Sequence, residues 1–121
     1  MTTPLHQMKA EFFKTLSHPM RIRVLELLSE REHSVGELLR ELEVEASNLS
    51  QQLAVLRRAG LVATRKEGST VHYALVSPQL ADLLGVARSI LTSVLTEQQG
   101  VLQTLRSDAR SVRRDDSGRG P

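Results

Sequence analysis

Within the 121-residue chain, short polar side chains gather in one stretch: Ser47, Asn48, Ser50, Gln51 and Gln52, with Arg57 and Arg58 closing it. These are residue types that can read a nucleic acid. Asparagine and glutamine amides pair with adenine edges, and a serine hydroxyl donates or accepts. Arginines hold phosphates without reading sequence. Placed on a helix at about 100° per residue, Leu53 and Leu56 fall within about 40° of Leu49, and the three define a buried side. Ser47, Gln51, Ala54 and Arg58 lie opposite, flanked by Asn48, Ser50 and Arg57. Ala54 leaves room for close approach. A polar face opposite an apolar stripe also describes any surface helix, so the neighbouring segments must decide.

Other chemistry finds less material. The chain has no cysteine, which removes disulfides, thiolate metal sites and cysteine redox sensing together. It contains no Gly-rich phosphate loop, no Gly-x-Ser-x-Gly and no paired-carboxylate pattern, so the reading is not an enzyme. The only aromatics are Phe12, Phe13 and Tyr73, too few for an aromatic ligand cage. Of the histidines, His6 has Lys9 and Ala10 one turn on, His18 stands at a helix start, and His33 lies in a loop. His72 sits on a strand, within reach of a phosphate or sugar. No two share the i,i+4 spacing of a helical metal site, and no cofactor is expected. With no apolar run near eighteen residues and no signal-peptide pattern, the chain reads as soluble and cytoplasmic.

The net charge of +2 conceals a division. Between Glu26 and Glu45 seven glutamates stand against Arg31 and Arg40, a net of −5. Between Ser47 and His72, Arg57, Arg58, Arg65 and Lys66 stand against Glu67, a net of +3. Acidic segments thus precede the candidate reading elements, and the basic residues lie on them, the contrast that phosphate binding needs.

The elements that must position these residues are mostly helices, which a content of twenty leucines favours. Leu5, Met8, Phe12, Phe13 and Leu16 predict a first helix over 5–16. Pro19 opens a second, capped by Ser17 or His18, which continues to about Glu30. Ser34 followed by Glu37 is a capping-box pattern and starts a short helix bearing Leu38, Leu39 and Leu42. The helix over 46–59 comes next, with Gly60 as its stop, and the two make a helix-turn-helix candidate. The period then changes to that of strands over 61–66 and 70–76, a β-hairpin turning at Glu67-Gly68-Ser69.

After Ser77-Pro78, a second cap-plus-proline start, an apolar stripe begins at Leu80. It passes through Leu84, Ala87, Leu91, Val94 and Leu95 to Leu102 and Leu105. It spans about 38 Å at 1.5 Å per residue. A single domain of this size cannot cover such a stripe, and a second copy of the chain is the economical partner. Leu5, Met8, Phe12, Leu80, Leu84, Ala87, Leu91, Val94, Leu95 and Leu102 are the expected dimer interface. From Asp108 the chain is charged and reads as a disordered tail over 108–121, behind a domain over 1–107.

Four segments in this order carry a resemblance: LSHPMRIRVL at 16–25, SVGEL at 34–38, LSQQLAVLRRAGLV at 49–62 and EGSTVHYAL at 67–75. Residues 12–75 resemble the ArsR/SmtB family of dimeric winged-helix repressors. The resemblance implies a mainly α fold with a small β-hairpin wing, a recognition helix at 46–59, and dimerisation through the first and last helices. It also implies a palindromic double-stranded DNA operator, with base contacts from Ser47, Asn48, Ser50, Gln51 and Gln52. Phosphate contacts would come from Arg57, Arg58, Arg65 and Lys66, with Thr70 and His72 at the wing. The departures concern sensing. Where many members place cysteines, this chain has Ser34 and Gly36; at the positions of the other common metal site it has Ser77, Gln79, Ile90 and Ser93. Ser69 replaces a frequent wing arginine. Two alternatives stay open at this point. One is a nickel or zinc sensor using His6 and carboxylates across a dimer; the other is a winged-helix module acting with a co-regulator protein.

Overall fold

The computed structural model describes residues 2–118, with the side chains of 2–109. The order is α1 (Leu5–Leu16), α2 (Pro19–Glu30), β1 (His33–Ser34), α3 (Val35–Leu42), α4 (Ala46–Arg58), β2 (Val62–Glu67), β3 (Thr70–Leu75) and α5 (Gln79–Gly118). This is the mainly helical winged helix-turn-helix that the residue pattern predicts, with boundaries moved by a residue or so. Two compact units divide inside α5, between Leu84 and Gly85.

Local chemistry explains each boundary in the first unit. His18 is the cap of α2: its Nδ1 accepts the Met20 N–H at 3.2 Å, and Pro19 occupies the position where a missing N–H costs nothing. At α3 the reciprocal capping box forms. The Glu37 N–H donates to Ser34 Oγ at 3.2 Å, and the Ser34 N–H donates to Glu37 Oε1 at 3.1 Å. Helix α4 ends in a Schellman turn: Gly60 sits at φ 75°, its N–H donates to the Arg57 carbonyl, and the Leu61 N–H reaches back to the Leu56 carbonyl. Both bonds measure 3.0 Å.

The hairpin is tighter than the sequence suggests. Glu67 pairs with Thr70, leaving Gly68-Ser69 as the loop. Gly68 has φ 60° and Ser69 lies outside the left-handed region, the signature of a type II′ turn that matches strand twist. A third strand, β1, joins the edge of β3, with His33 opposite Tyr73 and Ser34 opposite His72. A two-residue strand offers no alternation to detect, so pattern reading passes over it.

The core is built from leucine and valine. Val24, Leu25, Leu38, Leu49, Leu53 and Leu56 are its most deeply buried side chains. Leu49, Leu53 and Leu56 recur at i, i+4 and i+7 on α4, and α2 presents Val24, Leu25, Leu27 and Leu28 as its buried residues. Burying each such side chain contributes roughly 1.5–3 kcal/mol, so α4 is anchored by one face and free on the other.

The second unit is the helix beyond Leu84, with Val86, Ile90, Leu91, Val94, Leu95, Val101, Leu102 and Leu105 exposed. Helix α5 is continuous through residues 108–118, which the charge pattern assigns to a tail; no proline interrupts them, and their arginines are good helix formers. Residues 119–121 of that segment lie outside the described residues. No helix among the described residues is long and apolar enough to cross a membrane.

The cap of α3 carries a pH dependence. The Glu37 carboxyl is lowered from 4.5 to about 2, first by the hydrogen bond from the Ser34 backbone and then by the Arg31 guanidinium, 2.8 Å away. A folded-state value below the unfolded one favours the fold once the carboxyl is ionised in both states. This contribution is therefore complete above pH 4.5 and disappears as pH falls through about 2. Glu37→Gln should remove that part of the acid limb, so urea unfolding of the variant should change less than the native protein between pH 5 and pH 2.

Candidate nucleic-acid interface

The exposed side of α4 collects most of the residues with base-reading chemistry. Ser47, Asn48, Ser50 and Gln51 are exposed on the N-terminal half, and Arg57 and Arg58 on the last turn. Two cations at that end also complement the partial negative charge of the helix terminus. Ala54 is exposed between the groups, so nothing bulky stands in the middle of this face.

Gln52 does not belong to it. It is 8% exposed, and its amide is spent inside the protein. Arg21 Nε donates to Gln52 Oε1 at 2.8 Å, and Gln52 Nε2 donates to Asn48 Oδ1 at 3.3 Å. Arg21 Nη1 also donates to the Thr15 carbonyl at 3.1 Å, so one guanidinium joins the end of α1 to the middle of α4. The helical wheel already carried this signal: at about 100° per residue, Gln52 falls about 60° from Leu49, on the buried side. Arg21 had no such local cue, because its partner is 31 residues away.

At the wing the two cations differ. Arg65 is exposed but occupied: it donates to Glu32 across the loop before β1 and to Glu67 Oε2 at 3.2 Å. The Glu32 hydrogen bond, with help from Glu67, holds the Arg65 guanidinium above its ordinary value, and Arg65 in turn lowers the Glu32 carboxyl. Two carboxylates thus neutralise a cation that the residue pattern assigned to phosphate. Lys66 is exposed and, among the described residues, has no ion pair. Thr70 is exposed at the wing tip, whereas His72 is only 19% exposed, with Nε2 3.6 Å from Glu67 Oε2.

Histidines are dispersed into separate roles. His18 caps α2; His33 is buried on β1, its Nδ1 2.8 Å from the Arg31 carbonyl oxygen; His6 is exposed on α1. Among the described residues no three His, Asp or Glu side chains gather into a metal-holding group.

The expected interface residues divide as well. On α1, Leu5 and Met8 are exposed, while Phe12 is half-buried and meets the exposed Phe13 edge to face with ring centroids 5.3 Å apart. On α5, Leu91, Val94, Leu95 and Leu102 are exposed, as is Ala87. Leu84 is half-buried against the chain's own core, and Leu80 is a full member of that core at 8% exposure. The first two turns of α5 are therefore covered from within, and the free stripe starts at Ala87, about two turns later than its sequence spacing indicates.

Residues 18–64 match the family described as bacterial regulatory protein, arsR family. The HTH-type transcriptional regulator Rv0081 of Mycobacterium tuberculosis is 57% identical over 105 residues, 86% of this chain and 92% of the relative. Its crystal structure superimposes with a TM-score of 0.74 over 80% of this chain and 98% of that one. A biofilm growth-associated repressor of Agrobacterium fabrum is 44% identical over 62% of this chain and 64% of its own length. A solution structure of a homodimeric winged helix-turn-helix DNA-binding domain from Mycobacterium bovis is similar with a TM-score of 0.69 at 25% identity, covering 75% of this chain and 84% of that one.

Proposed function

Because the chain belongs to the arsR family of bacterial regulatory proteins, and so is a transcriptional regulator and not an enzyme, we propose that it acts as a cytoplasmic homodimeric repressor of an imperfect palindromic operator. The observation that carries this reading is the free face of α4: Ser47, Asn48, Ser50 and Gln51 exposed together, backed by Leu49, Leu53 and Leu56, with Arg57 and Arg58 at the end. A helix so anchored can enter the major groove with its polar edge forward. In a two-fold dimer the two recognition helices enter successive major grooves about 34 Å apart. Lys66 and Thr70 extend the contact to phosphates beside the groove. The exposed apolar residues of α1 and α5 supply the second-copy interface, in keeping with the homodimeric relative. Repression is the mode named for the A. fabrum relative.

Selection from a randomised duplex library, followed by salt titrations on the enriched site, tests this reading. A two-fold symmetric motif is expected, with affinity falling linearly on a logarithmic salt scale. Gln51→Ala should weaken the selected site by roughly 1–3 kcal/mol while leaving scrambled DNA unaffected. Equal losses on both duplexes would remove Gln51 as a base reader, and the absence of any enriched motif would overturn sequence-specific recognition.

A further inference from the structure

The polarity of the buried relay behind α4 decides what its most N-terminal amide offers. Arginine carries only N–H donors and no acceptor. The atom of Gln52 facing Arg21 Nε at 2.8 Å must therefore be its oxygen, which turns the Gln52 NH₂ toward Asn48. That NH₂ needs an acceptor, so Asn48 turns Oδ1 inward, at 3.3 Å, and its Nδ2 away. No member of the chain can flip without setting two donors or two acceptors against each other. Gln52 is 8% exposed, so water offers little escape from such a clash. The second guanidinium bond, Arg21 Nη1 to the Thr15 carbonyl, fixes the start of the relay.

Resting on the DNA-reading role of α4, we propose that Gln52 is a positioning residue that makes Asn48 a hydrogen-bond donor to DNA, selecting an acceptor-rich base edge, guanine above all. Bidentate pairing with adenine requires both the oxygen and the nitrogen of an amide at one base edge. Asn48 turns its oxygen inward to accept from Gln52, so that its N–H groups are what it directs outward. Guanine shows two acceptors in the major groove, N7 and O6, whereas cytosine shows the N4 amino donor. Gln51, exposed and outside the relay, keeps both amide atoms available and remains the adenine reader of the face.

The relay can be reversed without touching the reading residue. In Gln52→Glu, one carboxylate oxygen still receives Arg21 and the other demands a donor from Asn48, whose oxygen then points outward. Asn48→Asp reaches the same outward acceptor directly, at an exposed position where folding is not at stake. Motif selection from a randomised duplex library should return guanine at one position per half-site for the native protein. At that position both variants should move toward cytosine or adenine, with roughly 5- to 150-fold loss on the native operator. If Gln52→Glu does not fold, the Asn48→Asp selection still decides. A native preference for adenine or cytosine at the position it alters overturns the donor assignment, and so does a preference that Asn48→Asp leaves unmoved. A motif that moves with Asn48→Asp but not with a folded Gln52→Glu overturns the positioning role. In each of these cases DNA recognition itself stands, whereas a native protein that enriches no motif overturns that reading and this one together.

Discussion

Leu91→Glu is expected to turn the dimer into a monomer and to cost about 10²- to 10⁴-fold in affinity for a palindromic duplex. Leu91 is 60% exposed within its own chain, beside Ala87, Val94 and Leu95 on α5. On a solvated surface such a change would move stability by no more than about 0.5 kcal/mol. Glutamate is also about as good a helix former as leucine, so the helix itself has no reason to weaken. If the stripe is a seam between copies, one unpaired carboxylate per protomer enters it, and each carries a desolvation penalty of several kcal/mol. Binding to the second half-site then ceases to be intramolecular, which is where the loss of affinity arises. Light scattering reads the mass, and a duplex titration at fixed salt reads the affinity. A variant that stays dimeric at micromolar concentration would take α5 out of the interface.

What could be read in the residues and what could not separates by distance along the chain. Caps and stops are local, and Pro19 after His18, Ser34 with Glu37, and Gly60 all act as their spacing indicates. The recognition helix is also a local matter, because Leu49, Leu53 and Leu56 define its inner side at helical spacing. The failures are long-range. Arg65 is claimed by Glu32 from 33 residues away, and Arg21 claims Gln52 from 31, and neither pair leaves a trace in periodicity. Strand β1 exists only because β3 has an edge to offer His33 and Ser34. Leu80 looks like every other leucine of the stripe until the core beneath it is in place. Charge arithmetic shares this blindness: counting Arg65 as a free cation overstates the positive charge that the wing offers DNA.

Leu53→Ala should lower stability by 2–5 kcal/mol, against a total of about 5–15 kcal/mol for a domain of this class. Leu53 is 2% exposed, midway between Leu49 and Leu56 on the inner face of α4. Truncation removes its transfer energy and leaves a cavity, which helices joined through Leu25 and Leu38 can only partly close. The neighbouring residue supplies the contrast: Ala54→Ser, on the exposed side of the same helix, should stay within about 0.5 kcal/mol. Calorimetry at one protomer concentration should therefore show a fall in Tm of about 10 °C or more for the first variant and almost none for the second. The charged and amide groups of α4 are all retained in Leu53→Ala, so its folded fraction should still bind the selected duplex. Duplex at a hundred times its Kd should then restore about 2.7 kcal/mol, enough to offset the smaller estimate of the loss and about half of the larger. Recovery by the selected duplex but not by a scrambled one at equal salt would tie the packing of Leu53 to the face it supports. A Leu53→Ala protein as stable as the native one would mean that α4 is not anchored through this residue.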